Sequence, residues 1–353
     1  MSELKTVTCE KLMTTPLKPI TYCIDRMISL GLFILAGEPK VGKSWLALEI
    51  ALGIAKGENV LGRKTIQGTS LYLCLEDSYV RLQNRLFELT NEPTENLHLA
   101  IAAKTIGKGL EQQIEKFYEQ HNDLKIVIID TLQKIRTGDE TSYALEYKEL
   151  SVIKNLADKL GIAIVIIHHT SKREKGNDFT RISGTTAITG CADGSFVMKE
   201  IPNGAEINCT GRDIESFKMK LKRNGARWIA TETVSEKPRD NFSFMVHDFI
   251  LEQKYFKGSA TELAQKIFLQ FGVEIPPNRI TQHIVQHGYD LQAFGVKFEI
   301  KRSHGSRFII LKYDHNGDSS DSCGVRVDTA VTAVHQSVES ILTSSFKTGD
   351  GTK

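Results

Sequence analysis

Between Leu32 and Ile167 the chain alternates short apolar runs with longer stretches whose apolar positions fall three and four residues apart. The runs are Leu32–Ala36, Ser70–Leu75, Leu97–Ala100, Lys125–Ile129 and Ile162–Ile167. They carry almost no polar residues, as expected of strands covered on both faces. Between them the spacing predicts helices over Ser44–Lys56, Ser78–Leu89, Leu110–Gln120 and Ser142–Leu160, the last with Leu145, Leu150, Ile153 and Leu156 near helical spacing. Strand and helix taken in turn specify an α/β fold with a mostly parallel central sheet.

After Gly190 the texture becomes antiparallel: Ser195–Lys199, Glu206–Gly211, Phe217–Leu221 and Ala226–Thr231, with Asn224-Gly225 as a hairpin turn, extend the same sheet. Val234–Asn241 is polar and contains proline, which suits a linker. Beyond it, Ser243–Tyr255, Ala260–Phe271 and Pro277–His287 read as three helices. Two strands around Phe298 and Phe308 follow, with Ser303-His304-Gly305-Ser306 between them. Three helices and then a hairpin is winged-helix order. From Asp314 onward Ser, Thr, Asp and Gly dominate, the composition of a disordered tail. Within it Val331, Val334, Val338 and Ile341 share one helical face, so either a frayed tail or a short docking helix fits. The expected division is an N-terminal arm over 1–21, an α/β domain over 22–233, a linker over 234–241, a winged-helix-like domain over 242–313 and a largely disordered tail over 314–353.

With 353 residues, 41% hydrophobic and 25% charged, the chain has enough apolar material for two cores. A formal net charge of +2 announces no polyanion partner, so any nucleic-acid surface must come from local clustering. The cysteines Cys9, Cys23, Cys74, Cys191, Cys209 and Cys323 form no C-x-x-C pair and no metal-ligand spacing with histidine, which points to reduced thiols. Met1–Pro19 has no charged-then-apolar leader, and no apolar run approaches the roughly 20 residues a membrane span needs. A cytoplasmic protein without membrane contact is expected.

Candidate chemistry begins where the first apolar run ends. Gly37-Glu38-Pro39-Lys40-Val41-Gly42-Lys43-Ser44 fits the phosphate-loop pattern G-x-x-x-x-G-K-[ST], set between a strand and a helix that opens at Trp45. Glycines let backbone N–H groups close around a polyphosphate, Lys43 neutralises its β and γ oxygens, and the Ser44 hydroxyl ligates Mg2+. ATP and Mg2+ are the cofactors implied, with Gly37 through Trp45 as the nucleotide-binding segment. Asp130 closes the run Lys125–Ile129, the form needed to hold Mg2+ beside the loop hydroxyl, although a strand-terminal Asp also caps a following element. Glu76-Asp77 ends another strand, where carboxylates of an open parallel sheet face the ligand. Glu76 is assigned as the base for the attacking water and Asp77 as cap or support. His168-His169 ends a third strand; His169 is the candidate γ-phosphate sensor, with a purely structural role as the alternative.

Lys40-Val41-Gly42-Lys43-Ser44, Tyr72-Leu73-Cys74-Leu75-Glu76-Asp77, Ile128-Ile129-Asp130-Thr131-Leu132 and His168-His169-Thr170-Ser171-Lys172, in that order, resemble the RecA-like ATPases of the RepA-type hexameric replicative helicase family. The similarity covers roughly Tyr22 to Glu232. It implies a RecA-like P-loop fold in a homo-oligomeric, hexameric ring that hydrolyses ATP between subunits and moves on single-stranded DNA. By motif, Glu76 matches the family's catalytic glutamate, Asp130 the Mg2+ carboxylate and His168-His169 the sensing histidine region. The resemblance also implies an arginine acting on a neighbour's phosphates: Arg212, after Ile207–Gly211, is favoured over Arg223 in the hairpin turn. DNA in such rings meets loops after the Asp130 and His169 strands, which here hold Arg136 and Lys172, Arg173 and Lys175, with Gly138 and Gly176 nearby. A solvated loop is the plainer account of those charges. The chain departs from the family core in its winged-helix-like part. There Lys297, Lys301, Arg302, Arg307 and Lys312 outnumber Glu299 in the final hairpin, and Asn278, Arg279, Thr281, Gln282 and Gln286 lie on the would-be recognition helix. Arg279, Arg302 and Arg307 are the DNA contacts expected in this part, although winged helices also dock proteins. The function expected is a replicative-type DNA helicase. Its rivals are a DNA-binding ATPase switch that loads or regulates replication proteins and a recombinase-like filament ATPase.

Overall fold

The computed structural model of the chain describes residues 6–138, 143–170, 186–231, 242–303 and 306–314. The fold divides into two units, one running from Pro19 to Arg239 and the other joining Met1–Lys18 to Asp240–Lys353. The arm anticipated at the N-terminus thus groups with the C-terminal part. It carries the helix α1 (Cys9–Thr14), whose N-cap Thr8 accepts a hydrogen bond from the Lys11 amide at 3.2 Å.

The larger unit opens with a two-stranded hairpin, β1 (Tyr22–Ile24) and β2 (Ile28–Ser29). It continues through β3 (Gly31–Gly37), α2 (Lys43–Lys56), β4 (Thr69–Cys74), α3 (Tyr79–Leu89), β5 (Leu97–Ala100), α4 (Leu110–Gln120), β6 (Leu124–Asp130), α5 (Leu132–Ile135), α6 (Tyr143–Leu160) and β7 (Ala163–His169). It ends with α7 (Thr186–Cys191), β8 (Gly194–Ile201), β9 (Gly204–Gly211), β10 (Phe217–Asn224) and β11 (Arg227–Ala230). Nine strands form one sheet in the order β11-β10-β9-β8-β3-β7-β6-β4-β5. From β5 to β8 the neighbours are parallel, and from β8 to β11 antiparallel.

Every residue of β3 is buried, and its side chains go alternately to two cores. Phe33 and Leu35 join the cluster that holds Leu46 and Ile50 of α2, whereas Leu32, Ile34 and Ala36 join the one that holds Leu150 and Ile153 of α6. This period of two, with helices on both faces, is why the sequence run reads as uniformly apolar. Burial of α2 goes further: from Leu46 to Ala55 every residue is buried, Glu49 included, whose carboxylate accepts the Trp228 amide at 2.9 Å. The turn at Asn224-Gly225 forms as expected, with Asn224 opposite Arg227 and Gly225 at φ 59°. The first piece after Gly190 differs. It pairs parallel with β3, from Phe33 opposite Gly194 to Gly37 opposite Met198, and antiparallel only with β9. Its core residues Phe196 and Val197 face opposite clusters, so it is an interior strand.

In the second unit α8 (Phe242–Gln253), β12 (Tyr255–Gly258), α9 (Ala260–Phe271), α10 (Pro277–Gln286), α11 (Gly288–Ala293), β13 (Val296–Ser303) and β14 (Ser306–Tyr313) enclose their own core. The antiparallel order is β12-β14-β13. Ser259 and Glu262 close a capping box on α9, which Gly272 ends in the left-handed region at φ 69°. The helix expected over Ser243–Tyr255 ends at Gln253, and Tyr255 opens β12, a strand not expected. Lys254 at φ 61° breaks that helix, and Tyr255 turns into the sheet. The expected linker at Val234–Asn241 and the helical face Val331–Ile341 lie outside the described residues. Among the described residues no helix is long and apolar enough to cross a membrane.

Candidate functional site

β3 ends at Gly37 and α2 starts at Lys43, so the intervening loop crosses the carboxyl edge of the sheet beside the ends of β7 and β8. Gly42 caps α2 at φ 105°. A Cβ there would lie 2.7 Å from both the Trp228 ring and Nη2 of Arg223, so backbone conformation and space both demand glycine. Lys43 is 5% exposed. Its ammonium donates to the carbonyls of Gly37 and Glu38, each at 2.8 Å, and lies 3.5 Å from Nδ1 of His169. Burial pushes its pKa down to about 8, against the opposing pull of Asp130, Glu76 and Glu38.

The Ser44 hydroxyl donates to Oδ2 of Asp130 at 2.6 Å, and the Tyr72 hydroxyl donates to the same oxygen at 2.9 Å. Asp130 is buried, and desolvation raises its pKa while both hydroxyls and Lys43 pull it back. Glu76 is exposed just beyond β4, and its Oε1 accepts from the Thr131 hydroxyl at 3.3 Å. His169 closes β7 opposite Gly37. Burial, and then the charge of Lys43, lower its pKa, which favours the neutral imidazole. Asp77 turns away to Arg81 at 2.7 Å and Arg85 at 2.5 Å and accepts the Ser78 amide at 3.0 Å. Ser78 is the N-cap of α3, which leaves Asp77 as support. Lys43, Ser44, Glu76, Asp130 and His169 are therefore brought together.

Hard oxygen donors, Ser44 and Asp130, fit Mg2+, which takes few protein ligands and completes its shell with water and phosphate. Among the described residues no group of three or more His, Cys, Asp or Glu side chains makes a metal cage of protein alone. Such a donor set fits a metal that arrives with a polyphosphate.

Trp45 follows directly on Ser44. The guanidinium groups of Arg85 and Arg223 lie 5.3 Å and 5.5 Å from its ring centroid, and Arg223 stacks at 4.0 Å on Trp228. Arg223 thus belongs to the surroundings of its own chain's loop. Arg212 does not. It follows β9, whose Gly211 faces Gly194, which faces Phe33 near the amino end of β3. There its side chain, 60% exposed, lies 3.6 Å from Asp193 and donates to the Gly190 carbonyl at 3.1 Å.

Arg136 corrects the expectation of an exposed DNA-contacting cation. Its side chain is 4% exposed and paired with Glu146 at 3.1 Å and Glu149 at 2.9 Å, both on α6. Two buried carboxylates hold the charge inside, away from any phosphate on the surface. Lys172, Arg173 and Lys175 lie outside the described residues, as does the Arg302 side chain. Arg279 on α10 and Arg307 on β14 are exposed in the other unit. Tyr72, Thr131, Arg85 and Trp228 were missed as members of the site. A tyrosine inside a doubly covered strand was the available signal, because its buried hydroxyl needs a partner.

A protein-family model described as an AAA domain matches residues 1–175, a segment that contains Lys43, Glu76, Asp130 and His169 and stops short of Arg212. Among solved structures, a DnaB-like replicative helicase described with its interactions with primase is similar at a TM-score of 0.47 and 14% identity. The likeness covers 60% of this chain and 58% of that one. With a phosphate loop, a buried strand-end aspartate and a glutamate on the carboxyl edge of a mostly parallel α/β sheet, and a likeness to an AAA domain over the same segment, the chain carries the parts of a P-loop nucleotide site.

Proposed function

We propose that the chain is an ATP-hydrolysing motor of the replicative DNA helicase type, assembling as a hexameric ring that translocates on single-stranded DNA in the cytoplasm. The observation that carries this reading is a division of labour: Glu76 and Asp130 converge on Lys43, while Arg212 stands exposed at the opposite end of the sheet. A single chain therefore holds the loop, the metal ligands and the base, and offers its arginine to a neighbour.

On binding ATP, Lys43 exchanges the carbonyls of Gly37 and Glu38 for β- and γ-phosphate oxygens. Ser44 and Asp130 would hold Mg2+, which would supply positive charge against the phosphates. Glu76 orients the attacking water and takes its proton. His169, neutral and 3.5 Å from Lys43, reports the γ-phosphate to the segment that follows β7. That segment carries Lys172, Arg173 and Lys175, the DNA-contacting cations of this reading. The order α8, β12, α9, α10, α11, β13, β14, three main helices and a closing hairpin with one short helix between, supports a winged helix for the second unit, with Arg279, Arg302 and Arg307 toward DNA.

Strand displacement on a forked duplex, together with ATPase rates with and without single-stranded DNA, tests the motor. Unwinding that disappears in Lys43→Ala, and ATPase stimulated by the strand, are expected; ATPase indifferent to DNA contradicts it. One observation favours the reading of an ATPase switch that loads replication proteins: burial of Arg136 leaves the loop after β6 without its expected DNA cation. DNA binding gated by ATP without any unwinding is the outcome that would select it.

A further inference from the structure

The two carboxylates of the ATPase site are each held by a hydroxyl from the other's strand segment. Tyr72 on β4 donates to Asp130 on β6 at 2.9 Å, and Thr131, the residue after β6, donates to Glu76, two residues after β4, at 3.3 Å. The strand ends are in step: Cys74 faces Asp130, and the Leu75 amide donates to the Asp130 carbonyl at 2.9 Å. Both hydroxyl residues are enclosed, Tyr72 at 0% and Thr131 at 2% exposure; the Tyr72–Asp130 bond is buried, whereas the Thr131 hydroxyl reaches out to the exposed Glu76. Asp130 receives Ser44 and Tyr72 on the same oxygen, which fixes the plane of its carboxylate against α2 and β4 together.

From this geometry we infer that Tyr72 and Thr131 are separate positioning residues: Tyr72 aims Asp130 at the metal, and Thr131 aims Glu76 at the attacking water. The inference rests on the P-loop ATPase reading of the site. It divides the work of the site between two hydroxyls that never touch substrate. Tyr72 acts before chemistry, on the metal–nucleotide complex; Thr131 acts in the chemical step alone. A merely space-filling role for either would show no such division.

The test uses the full chain and a fluorescent ATP analogue, titrated in EDTA and again in Mg2+, alongside steady-state ATPase. Binding by the wild type, lost in Lys43→Ala, establishes the site itself; absence of binding in the wild type would overturn the P-loop reading rather than the division of roles. Given that binding, Tyr72→Phe is expected to bind the analogue normally in EDTA and to need roughly 10- to 100-fold more Mg2+ for half-maximal tightening, the usual loss when a residue behind a metal ligand is removed. Thr131→Val is expected to keep both titrations and KM while kcat falls by a comparable factor, with Thr131→Ser restoring most of it. If both variants depress the same quantity, or if Tyr72→Phe leaves the Mg2+ titration unmoved, the inference is wrong. Should Tyr72→Phe fail to fold, Thr131→Val against Thr131→Ser carries the test, and a valine variant with normal kcat overturns it.

Discussion

An ammonium group buried against two backbone carbonyls and an imidazole holds its proton less tightly than one in water, even with Asp130, Glu76 and Glu38 pulling the other way, and Lys43 is such a group. Its pKa of about 8 in the folded chain lies below the ordinary lysine value of 10.5. The charged form is therefore the disfavoured one in the fold: Lys43 weakens the folded state below pH 8, and that penalty is relieved as pH rises from 8 toward 10.5. Phosphate oxygens reverse the preference, so ATP binding above pH 8 must draw a proton from solution. Calorimetry at pH 8.5 in two buffers of different ionisation enthalpy is expected to register uptake of most of roughly one proton on ATP binding; no uptake in the wild type would contradict the assignment. Arg136 answers to burial instead. Arg136→Ala leaves Glu146 and Glu149 facing each other inside the fold and is expected to lower stability in urea by about 3–5 kcal/mol. The salt slope of DNA binding should not change, since no phosphate contact is lost. These residues also show where sequence suffices. Lys43 and Ser44 declare themselves through the phosphate-loop pattern, and Glu76 and Asp130 because each sits at or just past a strand end that local pattern already marks. Tyr72 and Thr131 depend on which strands lie side by side, and Arg136 on two glutamates of the following helix. Such pairings belong to the register and packing of the fold, which a single strand's pattern does not contain.

At the scale of elements, α2 links the site to the core. Its first residue is the phosphate-loop lysine and its middle is buried, so the loop is anchored to the core beside the sheet. Ile50→Ala, in the centre of that helix at 2% exposure, is expected to cost about 2–5 kcal/mol by chemical denaturation. Gly42→Ala acts at the helix start. The left-handed backbone alone costs an alanine about 1–2 kcal/mol, and its methyl group must push back Trp228 and Arg223 as well. Loss of nucleotide binding together with a lowered melting temperature is the expected result; a variant with normal binding would mean that the loop does not need this geometry. The parallel strands and their helices were legible from alternation, because a strand buried on both faces has no other composition available to it. β8 reads as an antiparallel piece of the sheet, which holds toward β9 but not toward β3, because hydropathy marks a strand without marking its direction. β12 and α11 escaped because each is short, and because the break before β12 lies in the backbone of Lys254 rather than in a proline or glycine.

For the whole molecule, the separation of Arg212 from Lys43 within one chain is the feature on which the proposed shared site rests. Under that proposal a second copy supplies the transition-state arginine through a head-to-tail contact, which gives a ring where the rotation closes. The two-unit division was expected, although the sequence offered no sign that the arm before Pro19 groups with the second unit, since that grouping is made by tertiary contact alone. One mixing experiment tests the shared site most directly. Lys43→Ala and Arg212→Ala proteins are each purified, shown to be inactive as ATPases, and then combined. The account predicts that activity returns on mixing, because an Arg212→Ala copy keeps an intact loop that a Lys43→Ala neighbour's arginine completes. A mixture that stays inactive, or an Arg212→Ala protein that hydrolyses ATP at the wild-type rate by itself, would contradict it.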